Sequence, residues 1–111
     1  MCGIAGVLYS DPTRHPSPEA DRALKRACDL MSHRGPDGEG RRGGPGFAFG
    51  HRRLSIIDLA TGDQPMSYAQ GRFTITFNGE IYDYRELRTT LQDRGHRFVT
   101  ASDTEVILAA Y

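Results

Sequence analysis

A cysteine directly follows the initiator methionine in Met1-Cys2-Gly3-Ile4-Ala5-Gly6. Trimming of the start methionine, usual before a small side chain, would leave a thiol and a free α-amine on one residue. An α-amine titrates near pH ~8, so part of it is unprotonated at neutral pH. It can take the thiol's proton directly or through a water, so that one residue supplies both nucleophile and base. Gly3 and Gly6 let the backbone run close to a substrate and to neighbouring strands. The hexapeptide by itself also reads as a small hydrophobe that happens to stand second, because reactivity more than packing decides what a free cysteine is for.

Three further groups could do chemistry. In Arg52-Arg53-Leu54-Ser55-Ile56-Ile57-Asp58 two arginines lead into an apolar stretch. Arg52 reads as a solvated edge residue. An arginine drawn into the protein needs an anionic partner, and a carboxylate gripped in a bidentate fork would serve. Asn78-Gly79 commonly means a tight hairpin turn. Here a helical pattern follows, so a side-chain amide and a backbone N–H stand together at a strand-to-helix turn, the two donors an oxyanion hole needs. Asp103 falls at the first position of a helix, where complementing the helix dipole is its simplest use.

The elements that must hold these groups are legible in outline. Gly3 to Tyr9 predicts a short strand, apolar on both faces, that suits packing inside a layered sandwich. Ser17-Pro18 opens a helix with Ala20, Leu24, Ala27 and Met31 on one face, ending near Ser32-His33. Cys28 lies beside that stripe and reads as a core thiol. His33 to Gly46 is rich in glycine and proline and reads as loop. Phe47 to His51 predicts a strand, Thr61 to Pro65 a turn, and Arg72 to Phe77 a strand with Phe73, Ile75 and Phe77 on one face. Asp83-x-x-Glu86 resembles a capping box opening a helix to about Arg94, with Gly95 as its stop. His96 to Thr100 predicts a strand, and Ser102-x-x-Glu105 caps a last helix through Val106, Ile107, Leu108 and Tyr111.

Composition excludes several classes. The chain has 111 residues, enough for one domain at most. Lys+Arg and Asp+Glu each number 14, so a general nucleic-acid binder or a polybasic membrane binder is disfavoured. No apolar run approaches the ~18 residues of a membrane span, and no signal peptide is visible, so cytoplasm is the default. The two cysteines form no C-x-x-C, and the four histidines are scattered without ligand spacing, so no metal site is expected.

Taken in order, five motifs carry a resemblance: Cys2-Gly3-Ile4-Ala5-Gly6, His33-Arg34-Gly35-Pro36-Asp37, Arg53-Leu54-Ser55-Ile56-Ile57-Asp58, Asn78-Gly79-Glu80-Ile81-Tyr82 and Ser102-Asp103-Thr104-Glu105-Val106-Ile107. Together they resemble the glutaminase domain of class II glutamine amidotransferases, on the branch of glutamine-hydrolysing asparagine synthetases. The resemblance runs from Cys2 to Tyr111. It implies an α+β fold, the N-terminal-nucleophile hydrolase four-layer αββα sandwich with antiparallel sheets, incomplete here at the C-terminus.

The resemblance also implies roles. Cys2 matches the nucleophile. Asn78 and Gly79 match the oxyanion hole. Arg53 matches the arginine that binds the α-carboxylate of L-glutamine, with backbone groups of Leu54, Ile56 and Ile57 lining the same pocket. Glu80 lies beside them, and Asp103 matches the carboxylate that pairs with the substrate's α-ammonium. The His33–Gly38 loop lies near the site without an assigned role. The glutaminase step would need no metal or cofactor. The ammonia would pass to a C-terminal synthetase domain using ATP and Mg2+ to convert aspartate to asparagine, a domain expected beyond Tyr111. A homodimer is compatible with the family. Two alternatives stand beside this: another class II amidotransferase with a different ammonia acceptor, and a non-catalytic glutaminase-like domain. Intact Cys2, Arg53, Asn78, Gly79 and Asp103 weigh against the second, because a domain freed from catalysis has no physical need for all five. A chain this short is also expected to be marginal as an isolated folding unit.

Overall fold

The computed structural model describes all 111 residues as mixed α/β with antiparallel sheets. Strands β1 (Gly3–Leu8), β2 (Gly38–Gly44) and β3 (Phe47–Arg53) form one sheet in the order β1-β3-β2. Strands β4 (Met66–Tyr68) and β5 (Phe73–Ile75) form a second, two-stranded sheet. Helices α1 (Pro18–Leu30), α2 (Tyr84–Asp93) and α3 (Asp103–Ala110) complete the chain.

The central strand β3 decides the layering through its alternation. Ala48, Gly50 and Arg52 point to one face, where α1 packs. Gly50 must lack a side chain, because a Cβ there would lie 2.5 Å from the Cys28 sulfur. Leu24 and Cys28 are buried in that contact, and Cys28 is the core thiol expected from its position. Ser17 caps α1 by accepting the N–H of Ala20 at 3.2 Å, with Pro18 in the first turn as the sequence predicts. Phe47, Phe49, His51 and Arg53 point to the other face. There Arg42 reaches Ser67 of β4, and His51 Nδ1 lies 3.0 Å from Thr76 Oγ1. Helix α3 packs on β4 and β5 in turn. Its buried residues, Thr104, Glu105, Val106, Leu108 and Ala109 among them, face nearly every direction.

Several expectations need correction. Gly38–Gly44 is not loop but strand β2. Glycine's cost in a strand is tolerable at a sheet edge, and here the small residue is required: a Cβ at Gly40 would fall 1.9 Å from the Gln64 carbonyl oxygen. Residues 96–100 form no strand. The last two N–H groups go to a side chain instead: the Glu105 carboxylate accepts Val99 N–H at 2.9 Å and Thr100 N–H at 2.7 Å, while His96 N–H donates to the Leu91 carbonyl. Glu105 therefore does not close a reciprocal box with Ser102, although Ser102 does accept the Thr104 N–H at 3.1 Å. Asp83 makes no side-chain cap, and the strand predicted over 72–77 is only Phe73–Ile75. Strand β1 is an edge strand whose Ile4 and Leu8 stay exposed rather than sandwiched. Arg52 is not a solvated edge residue: it ion-pairs Glu39 at 3.0 Å and donates to the Gly35 carbonyl at 3.0 Å. Gly95 does end α2, at φ +94°, in the left-handed conformation that suits glycine.

His51 is 1% exposed, and its Nε2 has no hydrogen-bond partner. Burial, with the Arg53 charge nearby, lowers its pKa to about 4. The fold thus favours neutral imidazole. Stability from this group is complete above the unfolded value of about 6.5 and is lost as pH falls from there toward about 4. Chemical denaturation of the wild type should lose about 2 kcal/mol more than His51→Gln between pH 7 and pH 4.5. Equal losses in the two proteins would contradict this.

Candidate active site

The site is assembled at the end of β3. The β1–β3 register pairs Gly3 with Arg52, which brings Cys2 alongside the backbone just past β3. The Leu54 N–H donates to Cys2 Sγ at 3.2 Å, and the sulfur lies 3.6 Å from the Leu54 carbonyl. That backbone is held from its far side. Asp37 N–H donates to the Arg53 carbonyl at 2.9 Å, and Asp37 Oδ2 accepts the Ser55 N–H at 2.8 Å. Gly35 packs so tightly on Arg52 that a Cβ would fall 2.2 Å from its carbonyl carbon. The His33–Gly38 loop is therefore a brace for the segment that touches the cysteine.

Arg53 turns into the protein and is 8% exposed. Its guanidinium donates to the carbonyls of Ile57, at 3.0 Å, and Asp58, and lies 3.1 Å from Asp63. The 54–63 loop is wound around this cation, and Gly62 leaves room for it, since a Cβ there would lie 2.5 Å from Nη2. The anionic partner that sequence reasoning sought in a ligand is present within the chain as Asp63. The Asp63 side chain is 87% exposed, however, which leaves it free to yield its place to another carboxylate.

The remaining groups come from α3 and the chain before α2. Asp103 opens α3, is 6% exposed, and accepts the Ile81 N–H at 2.9 Å. This fixes the Asn78–Ile81 turn against the helix. Asp58 ties the 54–63 loop to the same place, accepting the Ala101 N–H at 2.8 Å. Burial pushes the Asp58 carboxyl up, but the hydroxyl and N–H of Thr61, the Ala101 N–H and the Arg53 charge together hold it below the ordinary carboxylate value.

All nine residues singled out from the sequence, Cys2, Arg53, Leu54, Ile56, Ile57, Asn78, Gly79, Glu80 and Asp103, line a single cavity of about 340 Å³. Sequence reasoning missed Gln64, Phe77, Ser102 and Thr104, which line it too. Gln64 stood in a stretch read only as a turn, and no local pattern distinguishes a pocket-lining amide from a solvated one. No group of three or more His, Cys, Asp or Glu side chains converges as a metal site, and no helix is long and apolar enough to cross a membrane.

A part-buried cysteine, a buried arginine and a buried carboxylate border this one cavity. The chain belongs to the glutamine amidotransferase domain family, which matches residues 1–111. It is 45% identical over 111 residues to asparagine synthetase [glutamine-hydrolyzing] 1 of Bacillus subtilis, covering all of this chain and 17% of that protein. Asparagine synthetase [glutamine-hydrolyzing] 3 of the same organism is 39% identical over 113 residues, again across the whole chain and 18% of the relative. A protein named amidase chry2, from Gibberella zeae, is 38% identical over 120 residues, with the same shares covered. The chain thus spans about a sixth of the length of the curated relatives it matches.

The two cysteines should differ sharply in reactivity. Cys28 is fully buried, and burial pushes its thiol up. Brief treatment of the native protein with iodoacetamide should label Cys2 and spare Cys28 until denaturant is added, as read by peptide mass mapping. Native labelling of Cys28 at the rate of Cys2 would contradict the packing of α1 on β3.

Proposed function

We propose that this domain hydrolyses the side-chain amide of L-glutamine through a covalent thioester at Cys2. The observation that carries the reading is the convergence of a nucleophile, an arginine, a buried carboxylate and the Asn78-Gly79 donors on one cavity of amino-acid size. In this reading removal of Met1 frees the Cys2 α-amine, which takes the thiol proton as the sulfur attacks the carboxamide carbon. The charge developing on the amide oxygen is met by the Asn78 side-chain amide and the Gly79 N–H. The C–N bond breaks, the amine returns the proton to the leaving nitrogen, and ammonia departs. Water then attacks the thioester, glutamate leaves, and the thiol is regenerated. Arg53 exchanges Asp63 for the substrate's α-carboxylate, and Asp103 faces the α-ammonium. Both position the substrate.

The fuller four-layer αββα sandwich and the coupling of ammonia to an ATP- and Mg2+-dependent amidation of aspartate belong to the same proposal. The names of the Bacillus subtilis relatives support that coupling. No residue of this chain is assigned to nucleotide or magnesium. The amidase relative keeps open a second reading, a glutaminase serving another acceptor.

Intact-mass analysis with a diazo-ketone analogue of glutamine is the direct test. The expected result is loss of the Met1 mass and one adduct on Cys2, blocked by excess glutamine. Retained Met1, or labelling indifferent to glutamine, would overturn the proposal. Asn78→Ala should lower kcat for glutamate release by about 100-fold or more with little change in KM. Asp63→Asn, which removes the carboxylate competing for Arg53, should lower KM for glutamine by up to about fivefold, measured in the same assay.

A further inference from the structure

We propose that Gln64 is a positioning residue that locks the oxyanion donors and the ammonium-binding carboxylate into one unit. The inference rests on the glutaminase reading above. Gln64 lines the cavity, and both ends of its side-chain amide are occupied. Oε1 accepts the Phe77 N–H at 2.6 Å, and Nε2 donates to Thr104 Oγ1 at 3.2 Å. A backbone N–H can only donate, so it demands the carbonyl end of the amide, and this fixes the amide's orientation. One arm therefore holds the residue immediately before Asn78. The other holds the residue immediately after Asp103, and Thr104 is only 2% exposed.

The clamp has a fixed base. The Gln64 carbonyl seats against β2 at Gly40, where a Cβ would fall 1.9 Å from it. Strand β2 pairs with β3, and β3 pairs with β1, behind Cys2. Alongside the His51–Thr76 and Ile81–Asp103 contacts, Gln64 touches three parts at once: the sheet carrying the nucleophile, the segment carrying Asn78-Gly79, and the helix start carrying Asp103. A carboxamide is the fitting group for the task. It offers an acceptor and a donor side by side on one planar group, without adding charge beside Asp103 and Arg53.

The test compares Gln64→Met, Thr104→Val and Thr104→Ser in the full natural polypeptide that carries this chain. Three quantities are read: kcat and KM for glutamate release, amide hydrogen exchange across 77–81 and 101–104, and the rate of Cys2 alkylation by iodoacetamide. Gln64→Met should lower kcat/KM by about 100-fold, mainly in kcat, because displaced donors no longer meet the oxyanion. Exchange at Phe77 should rise by about tenfold, the scale of one lost hydrogen bond. Thr104→Val should give a part of both effects, and Thr104→Ser, which keeps the hydroxyl, should restore most of what Thr104→Val loses. Cys2 alkylation, which needs no oxyanion or ammonium contact, should keep its rate.

A Gln64→Met protein within about twofold of wild type in kcat, or one whose Cys2 alkylation falls in parallel, would overturn the inference. A wild type that releases no glutamate would overturn the glutaminase reading instead. In that case the exchange measurements still decide whether Gln64 couples the two segments.

Discussion

The start of α3 is the constraint on which the rest of the site depends. Two carboxylates, Asp103 and Glu105, are buried there at 6% and 2% exposure. Buried carboxylates are costly unless hydrogen-bonded, and these two are satisfied by backbone N–H groups from elsewhere in the chain. Glu105 takes Val99 and Thr100, and Asp103 takes Ile81. The helix N-terminus adds its partial positive charge to both. The result is mutual dependence. The loops supply donors that the carboxylates require, and the carboxylates supply acceptors for N–H groups that have no ladder to join.

The same logic holds at the other wall of the cavity with the signs reversed. Arg53 is a buried cation at the end of β3, and loop 54–63 folds its carbonyls onto it. Asp58 belongs to that loop and reaches across to Ala101, which ties the loop around the cation to the residue just before the Ser102 cap of α3. The apolar core cannot carry the site alone. Buried hydrophobic residues are few, with Leu24, Cys28 and Ala48 on one side and Met66, Val106, Leu108 and Ala109 on the other. Polar satisfaction between them keeps the two groups of elements in register.

Cys2 depends on this arrangement indirectly. Its sulfur touches only the backbone of Leu54 among the hydrogen-bonding groups around it, and Leu54 is held by its neighbours on both sides. The Pro36–Asp37 segment bridges to Arg53 through its backbone and holds Ser55 through the Asp37 side chain. The His33–Gly38 loop thus acts on the cysteine through one intervening stretch of backbone.

The sequence by itself determined the residue types and most of the local structure. Helix starts at Ser17-Pro18 and Ser102-Asp103 and the stop at Gly95 follow from side-chain chemistry within a few residues, so they were legible without the fold. The motif residues were legible too, since type and order along the chain carry that resemblance. Only the tertiary structure decided what depends on partners distant in sequence. Gly38–Gly44 becomes a strand because β3 offers it a ladder and Gln64 needs the space at Gly40. Residues 96–100 do not form a strand: Glu105 takes the donors of Val99 and Thr100, and the Leu91 carbonyl takes that of His96. Arg53 finds Asp63, Asp37 finds Ser55, and Gln64 finds both Phe77 and Thr104. A buried hydrogen bond is set by three-dimensional proximity and by the exclusion of water, and neither is written in the local pattern of residues.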